Sequence, residues 1–262
     1  MILRRVIAHF RQQEWTAIGI DFVIVVLGVF VGIQVANWNQ READKRLGRA
    51  YAERLTADIG NDLESRSALA AYYGAVLESV ERTNALLADP QSDPQQLVVS
   101  AYRASEINYD PQTRATWDEI VSSGDTGLLP RAALESGVTD YYAVDSARLA
   151  FESVANSAYR HRVRTIIPLE IQKALRAGCS DVRNEVQQII GFMTDCSLAV
   201  PADAITAAAA TLRNDAGIQA ELRYQYSEVY SARANIGGDV EVLKRALAAL
   251  ESARKTAAVR TP

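Results

Sequence analysis

Glycine and proline are scarce in this chain, 14 and 7 among 262 residues, and runs of alternating β-branched residues are hard to find. Sheet-rich folds are excluded on those grounds; what remains, alanine-rich sequence with apolar residues at threes and fours, reads as all-α. Histidine and cysteine occur twice each. His161 has no second His or Cys nearby, so it does not read as a metal ligand, and no cofactor is expected. The segment Ser122, Ser123, Gly124 and Asp125 could cradle an anion through backbone N–H groups. It lacks the glycine spacing and the lysine of a phosphate loop, and structural capping is the expectation. Basic residues are outnumbered, 28 Lys and Arg against 32 Asp and Glu, which argues against a nucleic-acid partner. No low-complexity linker or internal repeat is present.

The chain is organised around an apolar stretch from Trp15 to Trp38. At ~1.5 Å per residue, about twenty residues cross a ~30 Å hydrocarbon core, and between Ala17 and Ala36 only Asp21 and Gln34 are strongly polar. The uninterrupted run, Phe22 to Ile33, would by length alone suit a buried core helix or a signal-peptide core. It has no polar face, it is bracketed by two tryptophans suited to membrane interfaces, and Gln34-Val35-Ala36 is a poor signal-peptidase site, so the expectation is an uncleaved span. Asp21, Gly28 and Gly32 fall within about 20° of one helix face, and Gly28 and Gly32 make a small-xxx-small pair that would let a second helix approach. The partners expected are therefore the lipid bilayer and, through this face, a second copy or another membrane protein.

The expected organisation is a basic cytoplasmic arm over 1–14 (Arg4, Arg5, His9, Arg11), a transmembrane helix over 15–38, a helical-bundle domain over 39–258 and a frayed tail over 259–262. The positive-inside bias puts the arm in the cytoplasm and the body in the periplasm, although Arg41, Lys45, Arg46 and Arg49 leave the far flank no poorer in positive charge. A helix continuous with the span is expected to run to Asp89, before Pro90. Its Asp58 and Asp62 share a face and, without a histidine, read as a solvated acidic surface. Short helices are expected at 95–104 and 115–124, the second closed by a left-handed Gly124. Beyond them, a helix launched at Pro130 is expected to run to Ile167, and the last helices to cover 203–212 and 216–257. In the last, Leu222, Tyr226, Val229, Ile236, Val240, Leu243, Leu247 and Leu250 follow a 4-3 coiled-coil-like stripe in which Arg233 occupies one slot and is read as snorkelling to the rim.

The segments IGIDFVIVVLGVFVGIQVANWNQ (18–40), YAERLTADI (51–59) and ATWDEIVSSGDTGLL (115–129), with the pair Tyr141-Tyr142, resemble an uncharacterised bacterial family of single-span membrane proteins, a domain of unknown function. The motif residues are Asn37, Trp38 and Asn39, then Thr116, Trp117, Ser122, Ser123 and Gly124. Gln40 departs from the family's expected Glu, and the C-terminal half carries no match. The resemblance implies a membrane-anchored helical architecture and brings no activity with it; the expected location is the bacterial inner membrane.

Cys179 and Cys196 are a candidate disulfide if the body is periplasmic and two small buried thiols if it is cytoplasmic. Arg160, Arg162 and Arg164 form a basic run that would face anionic lipid if its helix folds back toward the membrane; the alternative is a solvated helix end. Three functions fit: a non-catalytic scaffold or sensing module of the envelope, a small-ligand sensor with its site between helices, or an enzyme using residues such as Asp118, Glu119 and Arg131.

Overall fold

The structure, a computed structural model, describes the backbone of residues 15–259 and the side chains of residues 19–256. The basic arm, the Trp15 side chain and residues 260–262 of the expected tail lie outside the described residues. The chain is 78% helical and 3% strand, which makes the fold all-α. It divides into two compact units, residues 1–50 and 51–262.

Helix α1 runs unbroken from Trp15 to Ala88. In the first unit every described side chain from 19 to 40 is exposed. Phe22 is 68% exposed and Ile24 61%, so apolar surface faces outward on all sides. Where the sequence turns polar, side chains satisfy one another locally: Gln40 donates to Asp44 at 2.7 Å and Lys45 pairs with Glu42.

In the second unit, α1 from Tyr51 onward packs against the last helix, here α10 (Ile218–Val259). The two are antiparallel. Tyr51, Leu55 and Ile59 share a cluster with Leu243, Ala246 and Leu250; Leu69, Tyr73 and Val76 pack with Val229 and Ile236; and Val80 and Leu87 lie with Ile218 and Leu222. Between them run α2 (Pro94–Arg103), α3 (Ala115–Ser122), a 3-10 turn at Asp125–Leu128, α4 (Arg131–Ala133), α5 (Thr139–Ala143), α6 (Ser146–Ala155), α7 (Ala158–Ile166), α8 (Leu169–Gly178) and α9 (Ala202–Asn214). Asp93 caps α2 through the Gln96 N–H, with Pro94 at its first turn. Gly124 ends α3 with φ 75°, the left-handed value its lack of a Cβ permits.

The helix expected from Pro130 to Ile167 is instead several pieces. Gly137 takes φ 96° inside a π-turn over Leu134–Val138. Asp145 then accepts from the Arg148 N–H and Ser157 from the Arg160 N–H, starting α6 and α7 afresh. Short polar side chains that compete for backbone donors restart a helix where apolar periodicity alone would carry it on. The all-helical expectation also leaves out a hairpin: β1 (Asp181–Arg183) pairs antiparallel with β2 (Ile189–Phe192).

The seam of α10 keeps Leu222, Val229, Ile236, Val240, Leu243 and Leu250 of the expected stripe and departs from it at Tyr226 and Leu247. Gln225, Ala232, Asp239 and Ala246 are buried beside them, whereas Tyr226 is 39% exposed and Leu247 only half-buried; Arg233 stands at the surface, as a snorkelling side chain would. Ala232 and Ala246 take inward slots, 3% and 0% exposed. Gln225 is inside because it donates to the Ala104 carbonyl at 3.0 Å.

Polar residues of α1 face inward as well, so Asp62 is no part of a solvated surface. It is 2% exposed and accepts from the Tyr141 hydroxyl at 2.7 Å and the Thr113 N–H at 3.0 Å. Arg66, fully buried, donates to the Asp110 carbonyl. Tyr72 and Tyr73 donate to the Ile107 and Asn108 carbonyls. An extended connector without a sheet partner is thus satisfied by one face of α1. Across the seam Asp239 accepts from Ser146, and burial outweighs the pull of Arg66 to push its carboxyl up to about 6.

Because that pKa lies above the unfolded value, the folded state takes up the extra proton. The group's contribution is full below about pH 4 and lost as pH rises through about 6. Asp239→Asn removes this dependence. Its urea midpoint relative to the native chain should climb between about pH 4.5 and 7, and a pH-independent difference would contradict the assignment.

Candidate functional site

The residues singled out from sequence separate into three places. Asp21, Gly28 and Gly32 lie on the exposed stretch of α1, where a Cβ built at either glycine meets nothing within 4 Å, leaving that face open to another helix. Asn37, Trp38 and Asn39 are exposed on the same helix. Thr116 and Trp117 are instead buried in the bundle, and the Trp117 indole stacks on the Tyr142 ring with centroids 5.0 Å apart. Ser122, Ser123 and Gly124 are surface residues. The Ser123 and Gly124 N–H groups are spent on the Glu119 and Val121 carbonyls, so they end the helix rather than cradle an anion.

Asp118, Glu119 and Arg131 do not converge. Asp118 pairs with Arg114 at 3.1 Å, Glu119 with Arg54 at 2.5 Å and Arg131 with Glu135 at 2.6 Å, all on exposed surface. Among the described residues no group of three or more His, Cys, Asp or Glu is placed to hold a metal ion.

The densest charged constellation lies elsewhere, around Glu106, a residue to which the sequence drew no attention. Glu106 is 2% exposed just beyond the end of α2. Its Oε1 accepts from Arg103 at 2.8 Å, and its Oε2 accepts from Arg164 of α7 at 3.2 Å and Arg176 of α8 at 3.0 Å. The neighbouring Ser105 carbonyl takes bonds from Arg160 and Arg164. Tyr102 supplies the floor: the Arg164 guanidinium carbon lies 3.6 Å from its ring centroid, and Arg176 donates to its hydroxyl. Arg103, 1% exposed, reaches on to the Cys179 carbonyl and lies over the Phe192 ring. Burial, and then the adjacent Arg164 charge, pull the Arg160 guanidinium below its ordinary value.

The basic run therefore faces the protein's own groups. Arg160 and Arg164 turn into this knot, and Arg162 pairs with Glu221 and with Asp215 at 3.3 Å. Cys179 and Cys196 are joined in a disulfide that closes the loop carrying the hairpin. Gln95 clasps that loop from α2, donating to the Cys196 carbonyl at 3.0 Å. A sequence signal for the knot existed in the helical spacing of Arg160 and Arg164, four apart on one face, but their acceptors lie more than fifty positions upstream and carry no motif.

No family model, curated protein or solved structure matches the chain.

Glu106→Gln keeps the shape and removes the one carboxylate that Arg103, Arg164 and Arg176 share. Unfolding in urea should show a loss of about 3–5 kcal/mol, the cost of leaving buried charge without its counter-ion. A loss under about 1 kcal/mol, typical of exposed pairs, would show that the knot contributes no more than surface ion pairs do.

Proposed function

We propose that this protein is a membrane-anchored helical protein of the bacterial envelope that works without catalysis, as a scaffold or as an interaction and sensing module. One observation carries the reading: from residue 19 to Trp38 the helix exposes apolar side chains on every side. A helix apolar all round is stable where lipid or protein covers it, and its backbone groups are already satisfied within the helix, as a bilayer demands. This reading takes 15–38 as the span and sets the N-terminus in the cytoplasm with the body in the periplasm. The Cys179–Cys196 bond favours that direction, because oxidised pairs persist outside the reducing cytosol.

The open face holding Asp21, Gly28 and Gly32 serves, on this reading, to pair the span with a second copy or another membrane protein. A catalytic role for Asp118, Glu119 and Arg131 has no geometry behind it, each being tied into its own surface ion pair.

Two measurements test these points. Alkylation of intact cells followed by non-reducing electrophoresis should find Cys179 and Cys196 unreactive until reductant is added; free thiols shielded in the cytosol would reverse the topology. In a reporter of span association, Gly28→Leu combined with Gly32→Leu should reduce the signal severalfold, and an unchanged signal would remove the pairing face.

A further inference from the structure

Four arginines gather here: Arg103, Arg164 and Arg176 bond the Glu106 carboxylate and Arg160 bonds the adjacent Ser105 carbonyl, leaving three positive charges over within the knot. Glu106 is the carboxylate that acts on both Arg160 and Arg176. Folding gathers like charges from three helices into one place, which costs free energy unless something negative joins them.

The hydrogen bonding shows where it would join. Arg164 uses Nε on the Ser105 hydroxyl and Nη2 on Ser105 and Glu106; Arg176 uses Nε on Tyr102 and Nη2 on Glu106; Arg160 uses Nη1 on the Ser105 carbonyl. Arg164 Nη1, Arg176 Nη1, and Arg160 Nε and Nη2 make no bond among the described residues, and none is among the buried unpartnered atoms. Arg164 and Arg176 are each held through Nε and Nη2, Arg160 through Nη1 alone, and the Arg164 and Arg176 side chains keep 19% and 53% of their surface exposed. Arg164 and Arg176 share one acceptor oxygen, and Arg160 and Arg164 share another, so the three guanidinium groups are neighbours. A gripped, planar fork loses little freedom on binding and matches the oxygens of a tetrahedral anion. Within the knot, the buried Arg103 Nε also lacks a partner.

We propose that Arg160, Arg164 and Arg176 form a binding site for a phosphate or phosphomonoester group, presented by a soluble molecule or by a lipid headgroup. The site does not depend on how the chain is oriented or on whether its span self-associates.

The test uses the full-length chain and the modification of accessible arginines by phenylglyoxal, read residue by residue by mass spectrometry. In detergent micelles, inorganic phosphate is titrated against chloride at equal ionic strength. In a second arm the chain sits in phosphatidylcholine nanodiscs with or without phosphatidic acid. Saturable protection of Arg160, Arg164 and Arg176 by inorganic phosphate identifies a site open to soluble ligand. Protection confined to the phosphatidic acid discs identifies a headgroup site. Arg176→Gln should weaken either effect about tenfold, the loss expected for one charge-assisted bond, with Arg176→Lys intermediate and Arg131→Gln without effect. Circular dichroism establishes that each variant is folded, and the Lys variant carries the test if the Gln variant is not. Protection equal in chloride and phosphate, absent in both arms, or unchanged in the Arg176 variants overturns the proposal.

Discussion

The fold of the second unit depends on one constraint: polar and charged side chains of α1 face inward, and the chain between α2 and α3 must come to meet them. Asp62, Ser65, Arg66, Tyr72 and Tyr73 look onto a connector without strand partners and bond its Thr113 N–H, its Asp110 carboxylate and carbonyl, and its Ile107 and Asn108 carbonyls. Were these contacts missing, the bundle would bury both an unpaired charge and an unpaired backbone, each costly. With them in place, the connector occupies ground that another helix would otherwise take. The short helices then close around it, α3 and α5 on one side through Trp117, Tyr141 and Tyr142, and α6 on another through Ala147, Ala150 and Val154.

The Glu106 knot extends the same logic to the other end of the connector. Arg103 ends α2, Glu106 opens the connector, and Arg164 and Arg176 bring α7 and α8 onto the same carboxylate. Around it lies the largest apolar cluster of the bundle, with Tyr159, Val163, Ile171 and Leu175 beside Leu97, Val98 and Tyr102. A buried ion cluster adds little net stability compared with apolar packing, but it fixes which helices meet. The disulfide and the Gln95 clasp then hold the hairpin loop over Arg103, whose guanidinium stacks on Phe192.

Legibility in sequence was uneven for physical reasons. The helical class and the unbroken α1 followed from low glycine and proline content and from apolar spacing, both local properties. Choosing the bulkiest apolar residue in each turn of α10 selected Tyr226 and Leu247 where Gln225 and Ala246 face the core. Burial there is decided by how closely α1 approaches and by which polar atom finds an acceptor, and neither is a property of the residue alone. Reading Asp62 as solvated failed in the same way, since Tyr141, which satisfies it, lies 79 positions away. The breaks at Asp145 and Ser157 rest on short polar caps, which an apolar periodicity running through them masks.

By itself the sequence determined the helical class, the apolar stretch between Trp15 and Trp38 with its small-residue face, and the position of the proline and glycine stops, because each rests on interactions within one or two helical turns. Only the tertiary structure decided which face of α10 is inside, and that Arg164 and Arg176 converge on Glu106 with Arg160 on the adjacent Ser105 carbonyl. Those outcomes depend on groups more than fifty positions apart finding each other's shape, charge and hydrogen-bonding capacity, and no local pattern records such a meeting.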